Sequence, residues 1–211
     1  MTESPRVVVR GEAVAEVLPD AADLVVTIEV RDRRRDRALA TLAGRQQELT
    51  ALLDAHRGGL GTVATDAVSV FDEGTDGARS GSVVTVTTRV QVGDVAAAGR
   101  LAVAVAGLAD TSLHGPHWRV SRGHPVHDRV RADAVADALA RARGYAAALG
   151  VGLTGLVELR DAGTGGGGRL AKASLAMAAP QLELQPGLVE VHGSVEMTFT
   201  MSPPDQEVYA R

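Results

Sequence analysis

Four of the chain's six histidines fall between His114 and His127, spaced H-x2-H-x6-H-x2-H. Neutral imidazole is the commonest metal ligand in proteins, so this segment raises a metal site first. Positions three apart on a strand point to opposite faces, so His114 and His117 are expected to diverge. His124 and His127 flank a helix start, where both can face one way, with Asp128 completing a three-ligand set. The plainer reading is that these histidines are solvated or lie at an interface.

A second candidate is DAGTGGGGRLAK at 161–172, which contains G-x-G-x-x-G from Gly163 to Gly168. A dinucleotide fingerprint requires a βαβ setting, and only one long strand remains to be built after it. A P-loop requires Lys and Ser/Thr after the last glycine, where this chain has Arg169 and Leu170. The segment therefore reads as a mobile connection between the last two strands, without nucleotide. The third candidate is RDRRRDR at 31–37, with Arg31, Arg33, Arg34, Arg35 and Arg37. A phosphate patch is the sharp reading; Asp32 and Asp36 dilute it and favour a solvated helix entrance. Ser69, Ser121 and Ser174 lack a nucleophile-elbow context. Glu190 and Glu196 share a wet strand face without forming a carboxylate pair. No catalytic residue and no cofactor emerge.

These groups need elements to position them. Residues 6–18 and 22–31 are Val-rich and separated by Leu-Pro-Asp-Ala, as in a β-hairpin or β-corner. Leu39, Leu42, Gln46, Leu49 and Leu53 mark one face of a helix over 33–56, with Asp32 as a cap and Gly58, Gly59 and Gly61 as its stop. A short strand at 66–71 and a polar turn at 72–81 follow. Val84, Val86, Val90 and Val92 alternate with polar residues in a half-buried strand. A second helix runs from Asp94 through Ala106, carrying Val95, Ala98, Ala102 and Val105 on one side, and a strand lies near 111–121. The third helix spans about Pro125 to Leu149, with Pro125 in its first turn and Gly150 at its C-terminal cap. Its inner face is expected to carry Val135, Leu139, Ala142, Ala146 and Leu149, and Asp137 and Arg141 can pair outside. Strands at 153–160 and 188–201 close the chain. In the last, Val189, Val191, Val195, Met197, Phe199 and Met201 share the buried face. The order β-β-α-β-β-α-β-α-β-β reads as α+β, a mainly antiparallel sheet with about three helices on one side.

The whole is one domain over 6–201, with two lobes as a variant, and a flexible tail at 202–211. With 211 residues, 45% of them hydrophobic, the chain has length for a real core. The net charge of -4 gives no electrostatic reason for a nucleic-acid partner. Cysteine is absent, which excludes disulfides, thiol catalysis and Cys-ligated zinc. Aromatics are only 2%, so stacking platforms are scarce. Arg10, Glu12 and Glu16 interrupt any leader-like apolar run near the start, and no apolar run is long enough for a membrane span, so a cytoplasmic protein is expected.

Three blocks resemble the SIMPL-domain family: the opening VVVRGEAVAEVLPDAADLVVTIEV, the helix VRADAVADALARARGYAAALGV and the close QPGLVEVHGSVEMTFTM. They span nearly the whole chain in the family's order. The resemblance implies an α+β fold and self-association; some bacterial relatives form rings or channel-like assemblies. It also implies links to export and oxidative-stress tolerance, and a eukaryotic member is an adaptor for a signalling kinase. It carries no catalytic residues. The expectation is therefore a non-enzymatic protein that binds itself or another protein, stress-related through its family, with the long terminal strand as a candidate for edge pairing. The alternative is a small-molecule or metal-binding protein using 114–127.

Overall fold

The computed structural model describes residues 4–75, 78–162 and 184–205, with side chains of 74–80 excepted. The elements are β1 (Arg6–Val17), β2 (Ala21–Asp32), α1 (Arg35–Ala55), a 3-10 turn (Arg57–Gly59), β3 (Leu60–Thr75), β4 (Ala78–Val92), α2 (Val95–Ala106), β5 (Thr111–Arg119), α3 (Val126–Ala148), β6 (Leu153–Asp161) and β7 (Val189–Met201). The order matches the sequence expectation, and the strand pairs are antiparallel, giving an α+β fold with three helices.

Two compact units divide these elements. The first holds a three-stranded sheet, β1-β7-β6, with α3 against it. The second holds a four-stranded sheet, β3-β4-β2-β5, with α1 and α2. In the second unit the period-2 valines of β4 (Val84, Val86, Val90, Val92) meet Leu24, Val26 and Ile28 of β2, and Leu42, Leu49 and Leu53 of α1 cover them. Asp94 caps α2, its carboxylate accepting from the N–H groups of Ala96 (3.2 Å) and Ala97 (3.1 Å).

In the first unit α3 lies unusually close to its sheet. Val126, Val130, Ala134, Ala138, Ala142 and Ala146 are buried at strict i, i+4 spacing. Opposite them, two strands carry glycine. A methyl group added at Gly11 would collide with the Ala134 carbonyl and come within 2.7 Å of the Ala138 Cβ. One added at Gly193 would meet the Val130 carbonyl oxygen at 2.5 Å. Small residues on both surfaces let the helix backbone rest nearly on the strands. Gly150, at φ +66°, ends the helix as expected, the left-handed conformation costing glycine nothing.

Several boundaries differ from the sequence reading. β1 and β2 do not form a hairpin, because each pairs within a different sheet. The polar stretch at 72–81 is mostly strand, since β3 and β4 extend as a hairpin to Thr75 and Ala78. Polar residues suit this arm because β3 is largely exposed. Arg34, not Asp32, occupies the N-cap of α1; the Asp32 carboxylate instead accepts from the Arg34 N–H at 2.7 Å. Leu39 and Gln46 face solvent while Ala38 is buried, which turns the inner face of α1 by one residue. The inner face of α3 is likewise the alanine stripe, with Val135 and Leu139 packed at its margin. Pro125 sits at the N-cap, one place before the first turn.

The helix–sheet contact predicts opposite outcomes for the same substitution at two sites. Gly11→Ala should destabilise the first unit by about 1–3 kcal/mol or more through overpacking. Gly144→Ala, within α3 with nothing inside 4 Å of the added carbon, should stabilise it by about 0.5–1 kcal/mol through helix propensity. Urea unfolding of both variants checks the signs.

Candidate functional site

A sheet exposes function or risk at its edges, where backbone N–H and C=O groups lack strand partners. The four edge strands here are β1 and β6 in one sheet, β3 and β5 in the other. On β1 the Glu12 N–H donates to the Asp137 carboxylate of α3 at 3.0 Å. The same carboxylate accepts from Arg141 Nε at 2.9 Å, the expected i,i+4 pair. That edge is partly covered. On β5, Pro116 offers no N–H and the register against β2 breaks between Asp23 and Val25. β3 is long and exposes Val63, Val68 and Phe71, but its pairing with β4 shifts three times.

Among the described residues, β6 combines an open edge with apolar side chains and a groove. It pairs with β7 through two bulges, Leu153/Gly155 and Leu156/Glu158. Leu153, Leu156 and Leu159 oppose Met201, Phe199 and Met197, the buried residues of β7, so all three point to the helix side. Yet Leu156 is 55% exposed and Leu159 47%, because α3 is drawn over β1 and β7 by Gly11 and Gly193 and leaves β6 overhanging. Val157, the residue added by the second bulge, is 48% exposed. Beneath the overhang lies a groove of about 470 Å³ lined by Leu139, Arg143, Ala146, Leu153, Leu156 and Phe199, among others. Glu158 and Arg160 pair at 2.7 Å, and Arg160 reaches Glu196 of β7 at 3.8 Å. The sequence carried a signal for this strand: leucines recur every third residue, the period that two bulges impose on a period-2 strand. The long strand β7, the sequence candidate for edge pairing, is central in its sheet and has no free edge.

The histidines separate into two pairs. Contrary to expectation, the rings of His114 and His117 come together, their centroids 6.1 Å apart and their planes at 44°. From Asp23 to Val25 on β2 is two residues, while from His117 to His114 on β5 is three. The extra residue restores the phase, so both histidines stand on one face. Gly115 makes the bulge at φ +114°, with the Asp23 carbonyl 2.9 Å from where a Cβ would lie. His124 and His127 stand at the start of α3, both half-buried, with His124 Nδ1 accepting from the Val126 N–H at 3.1 Å. Asp128 is exposed and ion-paired with Arg131 at 2.8 Å. Among the described residues no group of three or more His, Asp or Glu side chains gathers to hold a metal.

The arginine run is largely engaged within the chain. Arg31 binds Glu29 (3.0 Å) and Glu73 (3.4 Å), Arg34 binds Asp36 (2.6 Å), and Arg35 lies 3.9 Å from Asp72. The hydrogen bond from Arg34 holds the Asp36 carboxyl below its ordinary range. Ser121 donates through Oγ to Asp20 at 2.5 Å, a loop-fixing contact supported by its own N–H at 2.6 Å. Ser69 lies on β3, and Glu190 sits 3.4 Å from His192. Gly163 to Gly168 and Ser174 lie outside the described residues, as does the expectation of a mobile loop there; the strand before the loop, β6, pairs antiparallel with the strand after it, β7.

A family model described as SIMPL, protein of unknown function (DUF541), matches residues 7–199. The chain belongs to this family. The match runs from the start of β1 almost to the end of β7, so both units of this SIMPL chain fall within it. Comparison with curated proteins returned no match. Among the described residues of the SIMPL chain, no helix is long and apolar enough to cross a membrane.

The partial cover of β1 is testable. Asp137→Ala should cost the first unit about 1 kcal/mol, since a charged acceptor is removed from an edge amide at a partly exposed site. Asp137→Asn, which keeps an oxygen acceptor, should recover part of that loss in the same denaturation experiment.

Proposed function

We propose that this SIMPL chain is a non-enzymatic protein that works by strand-edge association, first with further copies of itself. The observation that carries the reading is the β6 overhang: an edge open among the described residues, with Leu156, Val157 and Leu159 about half exposed beside a groove of mixed lining. An added strand satisfies the free backbone groups of β6, while its alternate side chains fill the space that α3 leaves uncovered. Small, closed assemblies are the usual way such an edge is removed from solvent. The family resemblance supports the same direction. We read residues 6–201 as one functional domain containing both units.

Light scattering across a micromolar concentration series should give a mass well above the 21.8 kDa monomer. Leu159→Lys places a charge on the overhang and should lower the assembled mass while far-ultraviolet circular dichroism stays unchanged. A monomer mass that persists as concentration rises would remove the self-association reading.

A further inference from the structure

The juxtaposed histidines of β5 carry an inference separate from strand association. We propose that His114 and His117 form a binding site for a single divalent transition-metal ion of the copper, nickel or zinc type. The argument begins with the bulge, which takes two residues expected on opposite faces and sets them on one. An imidazole nitrogen binds such ions at about 2.0–2.1 Å, which puts the ring centroid roughly 3.2 Å from the metal. Two rings sharing one ion therefore have centroids about 4.5 to 6.4 Å apart, depending on the angle at the metal. The observed 6.1 Å lies inside that interval.

The surroundings suit such an ion. Among the described residues β5 is an edge strand. His114 is exposed and His117 half-buried, which leaves both free to turn their nitrogens inward. The same face of β2 supplies Asp23 opposite His117 and Val25 opposite His114. The charge of Asp23 is matched by Arg119 at 3.0 Å. One strand further, Arg89 lies opposite Val25 and is matched by Asp66 at 2.7 Å. No uncompensated cation from these strands faces the pair among the described residues. The protein supplies two nitrogen ligands and water fills the remaining positions, an arrangement that favours copper(II) over zinc by the usual order of divalent affinities.

Calorimetric titration of the full chain with copper(II), with electron paramagnetic resonance at one equivalent, tests the site. One saturable ion per chain with nitrogen coupling is expected. His114→Ala/His117→Ala should weaken binding by at least about tenfold, the scale of a lost ligand. His124→Ala/His127→Ala should leave it within about twofold, well inside that scale. His114→Gln/His117→Gln keeps polar side chains at both positions and should lose the ion equally, whatever the Ala variant does to folding. Wild-type affinity in both variants of the His114/His117 pair, loss in the His124/His127 variant instead, or no saturable binding by the unaltered chain would each overturn the assignment. Scattering mass is read separately, so failure of strand association leaves this outcome distinct.

Discussion

The first unit depends on one steric allowance: α3 can lie against its sheet only where neither surface carries a large side chain. Gly11 and Gly193 face Ala134, Ala138 and the Val130 carbonyl on adjacent strands of that sheet. Were those glycines larger, the helix would have to lift by most of a methyl diameter and the alanine stripe would lose its contacts. The approach also fixes where α3 sits across the sheet. It centres over β1 and β7, brings Asp137 to the β1 edge, and leaves β6 uncovered. The covered edge and the open one thus follow from the same pair of residues.

Much of this was legible in the sequence. All ten helices and strands occur in the expected order, because hydrophobic period is a local property that each segment carries by itself. The valines of β4 and the apolar residues of β7 show it most clearly. What escaped was phase and partnership. Ala142 and Ala146 lie on the inner face of α3 as expected, but Val135 and Leu139 stand at its margin, because small residues fill the space against Gly11. Similarly, β1 and β2 follow one another across a turn signal yet pair with distant strands, a choice that no local pattern records. β7 was a candidate for edge pairing because it is long and unbroken by proline, whereas the chain inserts it between β1 and β6.

The candidate sites show the same division. The arginine run read correctly as a solvated helix entrance from its interspersed acids, and those acids now appear as partners. The divergence expected of His114 and His117 failed because it assumed an unbroken strand. One bulged glycine changes the parity of every residue beyond it, and parity decides which groups can meet. β6 shows the converse: its leucines recur every third residue, and two bulges turn that spacing into a single apolar row.

The path of the chain has a consequence in time as well as space. The described strands and helices of the second unit come from the stretch Leu18–Ser121, while the first gathers its elements from both ends and the middle. Arg6 lies opposite Thr200, so nearly the whole polypeptide separates the paired strands β1 and β7. Both β1 and β6 pair with β7. During synthesis the described strands of the second unit all have their partners before β7 is made, and β1 emerges first only to wait longest. Throughout that interval the Val-rich opening segment has no native strand to pair with. Its alternating Arg6, Arg10, Glu12 and Glu16 make that waiting strand charged on one face, the kind of gatekeeping that discourages strand-to-strand aggregation.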